Sequence, residues 1–167
     1  MARRNDNTLH VGNISMEGVR ILFRNFAGEP DKYNKTGGKR TFSILLNEET
    51  AAQLMEEGWN VKPLRAREED EEPHFHLPVE VSYKLYPPRI YLIAGKRKTE
   101  LKEDTVSTLD YAEISNVDIT IRPYCWEVNE KSGVKAYVKN MYVTIVEDEF
   151  EKKYRDLGDE DDDTMPF

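Results

Sequence analysis

The chain has 167 residues, of which 38% are hydrophobic and 34% charged, and its formal net charge is −8. This length fits one domain, and no apolar stretch is as long as a membrane-spanning helix requires. The polar N-terminus predicts that no secretory signal is present. The single cysteine, Cys125, excludes an internal disulfide and a cysteine-based zinc site. We therefore expect a soluble intracellular protein.

The acidic residues are concentrated in two segments. Residues 147–167 carry 10 acidic and 3 basic side chains, and residues 68–72 are all acidic. The rest of the chain carries 21 basic against 17 acidic residues. A mildly basic body with an acidic loop and an acidic tail is a functional signal that the net charge conceals.

The predicted elements are mainly β-strands. In chain order they are a strand over 18–26, a basic loop over 27–40, a strand over 41–46, a helix over 48–57, strands over 77–85 and 89–94, and a hairpin of strands 114–128 and 134–146. In the first strand, Val19, Ile21 and Phe23 are predicted to face the core because they alternate with arginines. Asn47 is a typical helix N-cap and Gly58 a typical residue just past a helix end.

The long hairpin is rich in β-branched and aromatic residues. The segment 131–133 predicts its turn. The apolar positions of the second strand change phase between Val138 and Met141, which predicts a bulge near Lys139–Asn140. Residues 101–112 show no clear period and are predicted to be irregular.

Several short strands, one helix and loops of unequal length predict a mainly β fold. An OB-fold-like five-stranded, partly open β-barrel with one short helix and extended loops fits this pattern, and so does a β-sandwich. The barrel domain is expected to span 13–155. It follows a flexible N-terminus at 1–12 and precedes a disordered acidic tail at 156–167.

Signals of enzyme chemistry are weak. His74 and His76 share one face of a strand, but a zinc site would need a further ligand at a defined distance, so no metal is expected. Cys125 alternates with Ile119 and Ile121 and is predicted to face the core rather than act as a nucleophile. No phosphate-binding glycine motif occurs. We expect no enzymatic activity and no cofactor.

Aromatic and basic side chains alternate on the outward face of the predicted hairpin. Rings stack on bases and cations contact phosphates, so this composition is typical of surfaces that bind single-stranded nucleic acid. Taken alone, each ring is equally explained as a cross-strand packing residue. The candidate contact residues, including basic residues of the first strand and the following loop, are Arg20, Arg24, Lys39, Arg40, Arg122, Tyr124, Trp126, Lys135, Tyr137 and Lys139.

The acidic tail ends in an apolar tip. An acidic run that leads into Met165, Pro166 and Phe167 suits a partner with a small apolar pocket rimmed by Arg or Lys. This tip resembles the C-terminal tip of bacterial single-stranded DNA-binding proteins. The matching residues are Asp161, Asp162, Asp163, Pro166 and Phe167, and this chain has one additional residue between the acidic run and the proline.

The body of the chain resembles the single-stranded DNA-binding proteins of tailed phages. The motifs that carry this resemblance are 26–30, 38–42, 109–111, 117–126 and 133–139. The resemblance implies an OB-fold that coats exposed DNA during replication, recombination and repair, in the cytoplasm of the bacterial host. Its acidic tip implies contacts with a polymerase, helicase, primase or nuclease.

Two other functions remain open from the sequence. The acidic net charge favours an interaction protein, such as a DNA mimic or an adaptor that acts on a DNA-processing enzyme. A metal-dependent nuclease would need carboxylates clustered on rigid strands, whereas the acidic clusters of this chain are predicted to lie in a loop and a tail.

Overall fold

A computed structural model describes residues 11–30, 35–64, 74–84 and 86–146. The predictions for the extreme N-terminus, for the acidic run 68–72 and for the tail 156–167 with its tip residues lie outside these ranges. So do Leu85 and the domain end at 155.

The described residues form nine strands, one α-helix and one 3-10 helix. They are β1 (Ile14–Met16), β2 (Ile21–Asn25), β3 (Arg40–Leu46), α1 (Glu48–Glu56), β4 (Lys62–Leu64), β5 (His74–Val81), β6 (Arg89–Ala94), β7 (Arg97–Leu101), a 3-10 helix (Val106–Asp110), β8 (Ile114–Val128) and β9 (Lys131–Ile145). The strand count exceeds the five of the predicted barrel because β4, β6 and β7 extend the sheet and β1 precedes the first predicted strand.

The long hairpin organises a single sheet. Strands β8 and β9 pair along their whole length, and the main path through the sheet is β1-β8-β9-β5-β3-β2. Both β5 and β6 run parallel to β9, β5 beside Ala136 and Tyr137 and β6 further along the strand. The first segment of the domain forms both ends of this path, because β1 pairs with β8 and β2 pairs with β3.

A single apolar core fills the inward face of the sheet. The predicted inward positions of β3 and β5 are buried, as are those of β8 near Ile119 and Ile121. Helix α1 begins as predicted, since the Asn47 side chain accepts a hydrogen bond of 2.8 Å from the Thr50 N–H. It packs Ala51 and Leu54 into the core and ends before Gly58, whose φ of +93° suits glycine.

The hairpin prediction is confirmed, with one correction at its turn. Thr120 pairs with Asn140 and Ile121 pairs with Val138, so Lys139 is the extra residue of the predicted bulge. The turn is formed by Asn129 and Glu130, with φ of 52° and 67°, rather than by 131–133. Residues 131–133 belong to β9 instead. Two consecutive left-handed residues complete the reversal before the chain reaches Gly133.

The prediction for Phe23 is wrong. The register between β2 and β3 shifts between Leu22 and Asn25, and Phe23 adopts a φ of +53° in this bulge. Its side chain is 64% exposed. The core position is taken by Phe26 instead, whose ring stacks on Phe42 with centroids 5.0 Å apart.

The stretch predicted to be irregular contains the end of β7 and the 3-10 helix, which is tied to β2. The Asp110 carboxylate accepts hydrogen bonds from the N–H groups of Phe26, at 2.6 Å, and Ala27, at 3.0 Å. Arg24 donates to the carbonyls of Leu109 and Ala112, both at 2.8 Å. Two sequence motifs of the resemblance, 26–30 and 109–111, therefore meet in space.

Candidate nucleic-acid interface

Five of the predicted contact residues come together on the outward face of the hairpin. We call Arg122, Tyr124, Trp126, Lys135 and Tyr137 the β8–β9 patch. In the strand register Arg122 lies opposite Tyr137, and Tyr124 lies opposite Lys135. The rings of Tyr124 and Tyr137 meet edge to face with centroids 6.2 Å apart. The predicted pairing of rings and cations across the hairpin is what the structure contains.

The cations of the patch lie against its rings. The Arg122 guanidinium is 5.2 Å from the Tyr137 ring centroid, and the Lys135 ammonium is also 5.2 Å from it. Such contacts orient a cation while leaving its outer donors open to an anion. Tyr137 thus positions both charges at one spot on the surface.

Tyr86 joins the patch from the loop between β5 and β6, and the sequence did not indicate it. The Arg122 guanidinium lies 4.9 Å from the centroid of this ring, which is 67% exposed. Arg122 therefore touches two rings, Tyr86 and Tyr137. No strand period extends to a residue just before Pro87–Pro88, so only the folded chain reveals this neighbour.

Glu80 is a second residue that sequence reasoning missed. It pairs with Tyr137 across β5 and β9, and its carboxylate lies 2.6 Å from the Lys135 Nζ and 3.8 Å from the Lys39 Nζ. Burial alone would lower the pKa of the Lys135 ammonium, but the hydrogen bonds and charges of Glu80 and then Tyr137 together outweigh it, and the pKa is raised. Lys135 is thereby held as a cation, and Lys39 is drawn to the edge of the patch.

Trp126 sits over a glycine. Its partner across the hairpin is Gly133, and a Cβ atom built there would lie 2.8 Å from the indole Cζ2. The indole is 38% exposed. The absent side chain at position 133 leaves room for the indole beside the strand, where the residue stays partly exposed.

Of the other predicted contact residues, Lys39 lies at the edge of the patch, and Arg24 and Arg40 make their contacts elsewhere. Arg24 is held by backbone carbonyls near the 3-10 helix, as described above. Arg40 lies near Glu103, with an Nη1–Oε2 distance of 3.6 Å, and 5.8 Å from the Tyr83 ring centroid. Burial, partly opposed by Arg40 and reinforced by Glu103 and Glu100, raises the pKa of Tyr83 to about 12. Lys139 is exposed at the bulge, and Arg20 is exposed beside β3.

Within the described ranges, no group of three or more His, Cys, Asp or Glu residues is arranged to hold a metal ion. Cys125 is half-buried against the core, and burial raises the pKa of its thiol. Its thiolate is therefore disfavoured. None of the helices formed by the described residues is long and apolar enough to cross a membrane.

Comparison with known proteins assigns the family. Residues 4–166 match the phage ssDNA-binding domain family. The chain belongs to this family. The resemblance of its body to the single-stranded DNA-binding proteins of phages is thus confirmed. A separate comparison with curated proteins found no match.

Solved structures of another phage protein share the fold of this family member. The single-stranded DNA-binding protein from bacteriophage Enc34 is similar with a TM-score of 0.52 at 13% identity, over 82% of this chain and 83% of that one. The structure of that protein in complex with ssDNA gives a TM-score of 0.54 at 14% identity, over 82% of this chain and 88% of that one. The mainly β fold with one short α-helix is therefore shared.

Proposed function

We propose that this chain binds single-stranded DNA without sequence preference, and that the β8–β9 patch is the surface that contacts the strand. The arrangement of Arg122 between the rings of Tyr86 and Tyr137 carries this proposal. Tyr124 and Trp126 add exposed ring faces beside it. Every base has a face that can stack and every nucleotide has a phosphate, so rings beside cations bind a strand independently of its sequence.

The sheet topology supports a partly open OB-type barrel as the scaffold. Its five strands would be β3, β5, β8, β9 and the segment that contains β1 and β2. That segment hydrogen-bonds to β8 through Val19 and to β3 through the Arg20 carbonyl, as a strand that closes a barrel does. The parallel pairing of β5 and β9 fits the same Greek-key path.

In this proposal the protein is not an enzyme. It coats and protects exposed phage DNA during replication, recombination and repair in the host cytoplasm. Membership of the phage ssDNA-binding domain family supports this role. The acidic tip would recruit a polymerase, helicase, primase or nuclease, which is supported by its resemblance to the bacterial tip through Asp161–Asp163 and Pro166–Phe167.

Fluorescence anisotropy tests the proposal directly. Labelled oligo(dT), oligo(rU) and duplex DNA are titrated with the full chain at low and high salt. We expect the tightest binding to the single strand of DNA, with an affinity that falls as salt rises. Trp126→Ala should lose about 1–3 kcal/mol of binding free energy, the value of one stacked base.

Tyr111→Ala is the matched control, because this ring is 87% exposed but lies outside the patch. It should bind DNA as the parent chain does. Equal affinity of the Trp126 and Tyr111 variants would remove the β8–β9 patch from the interface. Equal affinity for single-stranded and duplex DNA would contradict the proposed function itself.

A further inference from the structure

A bulge turns Phe23 out of the core onto the outward face of β2. Regular alternation would bury Phe23 beside Ile21, but the shift in register with β3 re-aims it toward solvent. The positive φ of Phe23 costs backbone free energy for a residue with a side chain, and exposure forfeits the burial of a large ring. Phe26 fills the core position and Asp110 holds the backbone beyond the bulge, so the ring of Phe23 is left at the surface, where a ligand can reach it.

His76 forms the other half of an aromatic pair. The rings of Phe23 and His76 meet edge to face with centroids 5.3 Å apart. The His76 Nδ1 lies 2.9 Å from the Oγ of the buried Ser43, a hydrogen bond that fixes the plane of the imidazole. The pair therefore presents rings in a set orientation and is not a flexible surface contact.

Two cations share a row of the sheet with His76. Lys62 on β4 is the direct partner of His76, and on the other side Leu45 is its partner on β3. The Leu45 N–H donates to the Arg20 carbonyl, so Arg20 lies next in the same row. Both cations are exposed. Rings and cations therefore lie close together here, as they do in the β8–β9 patch, and both groups are on the outward face of the sheet.

We propose that Phe23 and His76, flanked by Arg20 and Lys62, form a second stacking site for the same bound DNA strand. This inference rests on the function proposed above. The two sites are linked by β5, because Glu80 borders the β8–β9 patch and His76 lies four residues before it, about 13 Å along the strand. The bound DNA would then cross β9, β5 and β3 instead of running along β9.

A length series of oligo(dT) separates the two sites. The full chain is titrated with labelled oligomers of about 4 to about 16 nucleotides, the range of OB-fold site sizes. Phe23→Ala should weaken binding of the long oligomers about tenfold and leave the shortest bound oligomer unaffected. Trp126→Ala should weaken binding at every length. Phe23→Tyr keeps the ring and should bind long oligomers more tightly than Phe23→Ala does.

Tyr91→Ala is the matched control. Tyr91 stacks on Tyr142 at 5.2 Å and lies under Lys98 at 4.8 Å, further along β9. If the Tyr91 variant loses affinity for long oligomers and the Phe23 variant does not, the DNA runs along β9 and the second site is refuted. If Phe23→Ala matches the parent at all lengths while Trp126→Ala is weakened, the second site also fails but the proposed function stands.

Phe23→Trp adds a reporter that does not depend on affinity. Trp59 is buried, and Trp126 is present in the parent chain as well, so a change of emission beyond that of the parent reports position 23. We expect this additional change with long oligomers and not with the shortest one that binds. An emission change equal to that of the parent at saturating long oligomers would overturn the second site. Failure of the parent chain to bind any oligomer would overturn both proposals.

Discussion

At the scale of single residues, Glu80 sets a negative charge among the cations of the proposed interface. Its carboxylate holds Lys135 and draws Lys39, so both ammonium groups are partly neutralised before any DNA arrives. We expect Glu80→Gln to raise the affinity for oligo(dT) several-fold at low salt, because two cations are released toward phosphates. Anisotropy titrations at two salt concentrations measure this change.

The same substitution should cost about 1 kcal/mol of stability or less, since Lys135 is partly exposed and loses one ion pair. Glu100→Gln is the control, because Glu100 pairs with Lys102, outside the patch, at 3.2 Å. Its DNA affinity should stay at the parental value. A Glu80→Gln variant that binds DNA no better than Glu100→Gln would show that Lys135 and Lys39 do not contact the strand.

His76 predicts how stability depends on pH. Burial, and then the charge of Lys62, lower the pKa of its imidazole below the ordinary 6.5. The unfolded chain therefore binds a proton at a pH where the folded chain does not. The contribution of His76 to the free energy of unfolding is fully present above pH 6.5 and is lost as the pH falls through the lowered pKa.

Urea denaturation of the parent chain and of His76→Gln at pH 7 and pH 5 checks this expectation. The variant should lose less stability between the two values than the parent does. A His76 resonance that titrates at or above 6.5 in an NMR pH series would contradict the argument.

At the scale of elements, the β8–β9 hairpin couples its backbone to the interface through Gly133. A Cβ atom at this position would lie 2.8 Å from Cζ2 of the Trp126 indole, and this partly exposed ring would have to rotate away as a whole. We expect Gly133→Ala to displace the indole and weaken oligo(dT) binding about as much as Trp126→Ala. The urea midpoint should change little, because Gly133 has no positive φ to lose.

Gly12→Ala is the matched control, since nothing lies within 4 Å of a Cβ atom built there. It should leave DNA affinity unchanged. If Gly133→Ala binds DNA like the parent chain, the orientation of Trp126 does not matter for binding, and this ring is a packing residue of the hairpin.

The hairpin also marks how far sequence patterns extend. Its strands and the bulge at Lys139 were predictable because buried positions impose a period of two, and a change of phase shows where one residue is extra. The outward pairing of Tyr124 with Lys135 followed from the same period. What no local pattern indicates is a neighbour brought by a loop, such as Tyr86, or by a strand distant in sequence, such as Glu80.

Phe23 illustrates a different limit of prediction from sequence patterns. Its alternation with Arg20 and Arg24 favours an inward ring, and the bulge that reverses it is set by contacts far along the chain. The Asp110 carboxylate accepts hydrogen bonds from the N–H groups of Phe26 and Ala27, and Arg24 donates hydrogen bonds to carbonyls of the same distant segment. Strand β7 was missed because it is exposed except at Leu101 and so has no apolar period.

At the scale of the whole molecule, acidic charge is concentrated in residues 68–72 and 147–167, and the rest of the chain is mildly basic. Residues 156–167 carry six acidic and no basic side chains and follow the end of β9 by ten residues. A tail tethered so closely has a high effective concentration near the cations of the proposed interface. It should therefore compete with phosphates for the same side chains when salt is low.

We expect deletion of 156–167 to raise the affinity for oligo(dT) at low salt, and the gain to shrink at high salt, where screening weakens the competition. A variant of full length with the six acidic residues changed to Asn or Gln should behave like the deletion, because charge and not length is responsible. Deletion of Pro166 and Phe167 alone should leave DNA affinity at the parental value. If loss of the tail instead abolishes the action of the protein on a DNA-processing enzyme and the body binds no DNA, the chain is an acidic mimic or adaptor.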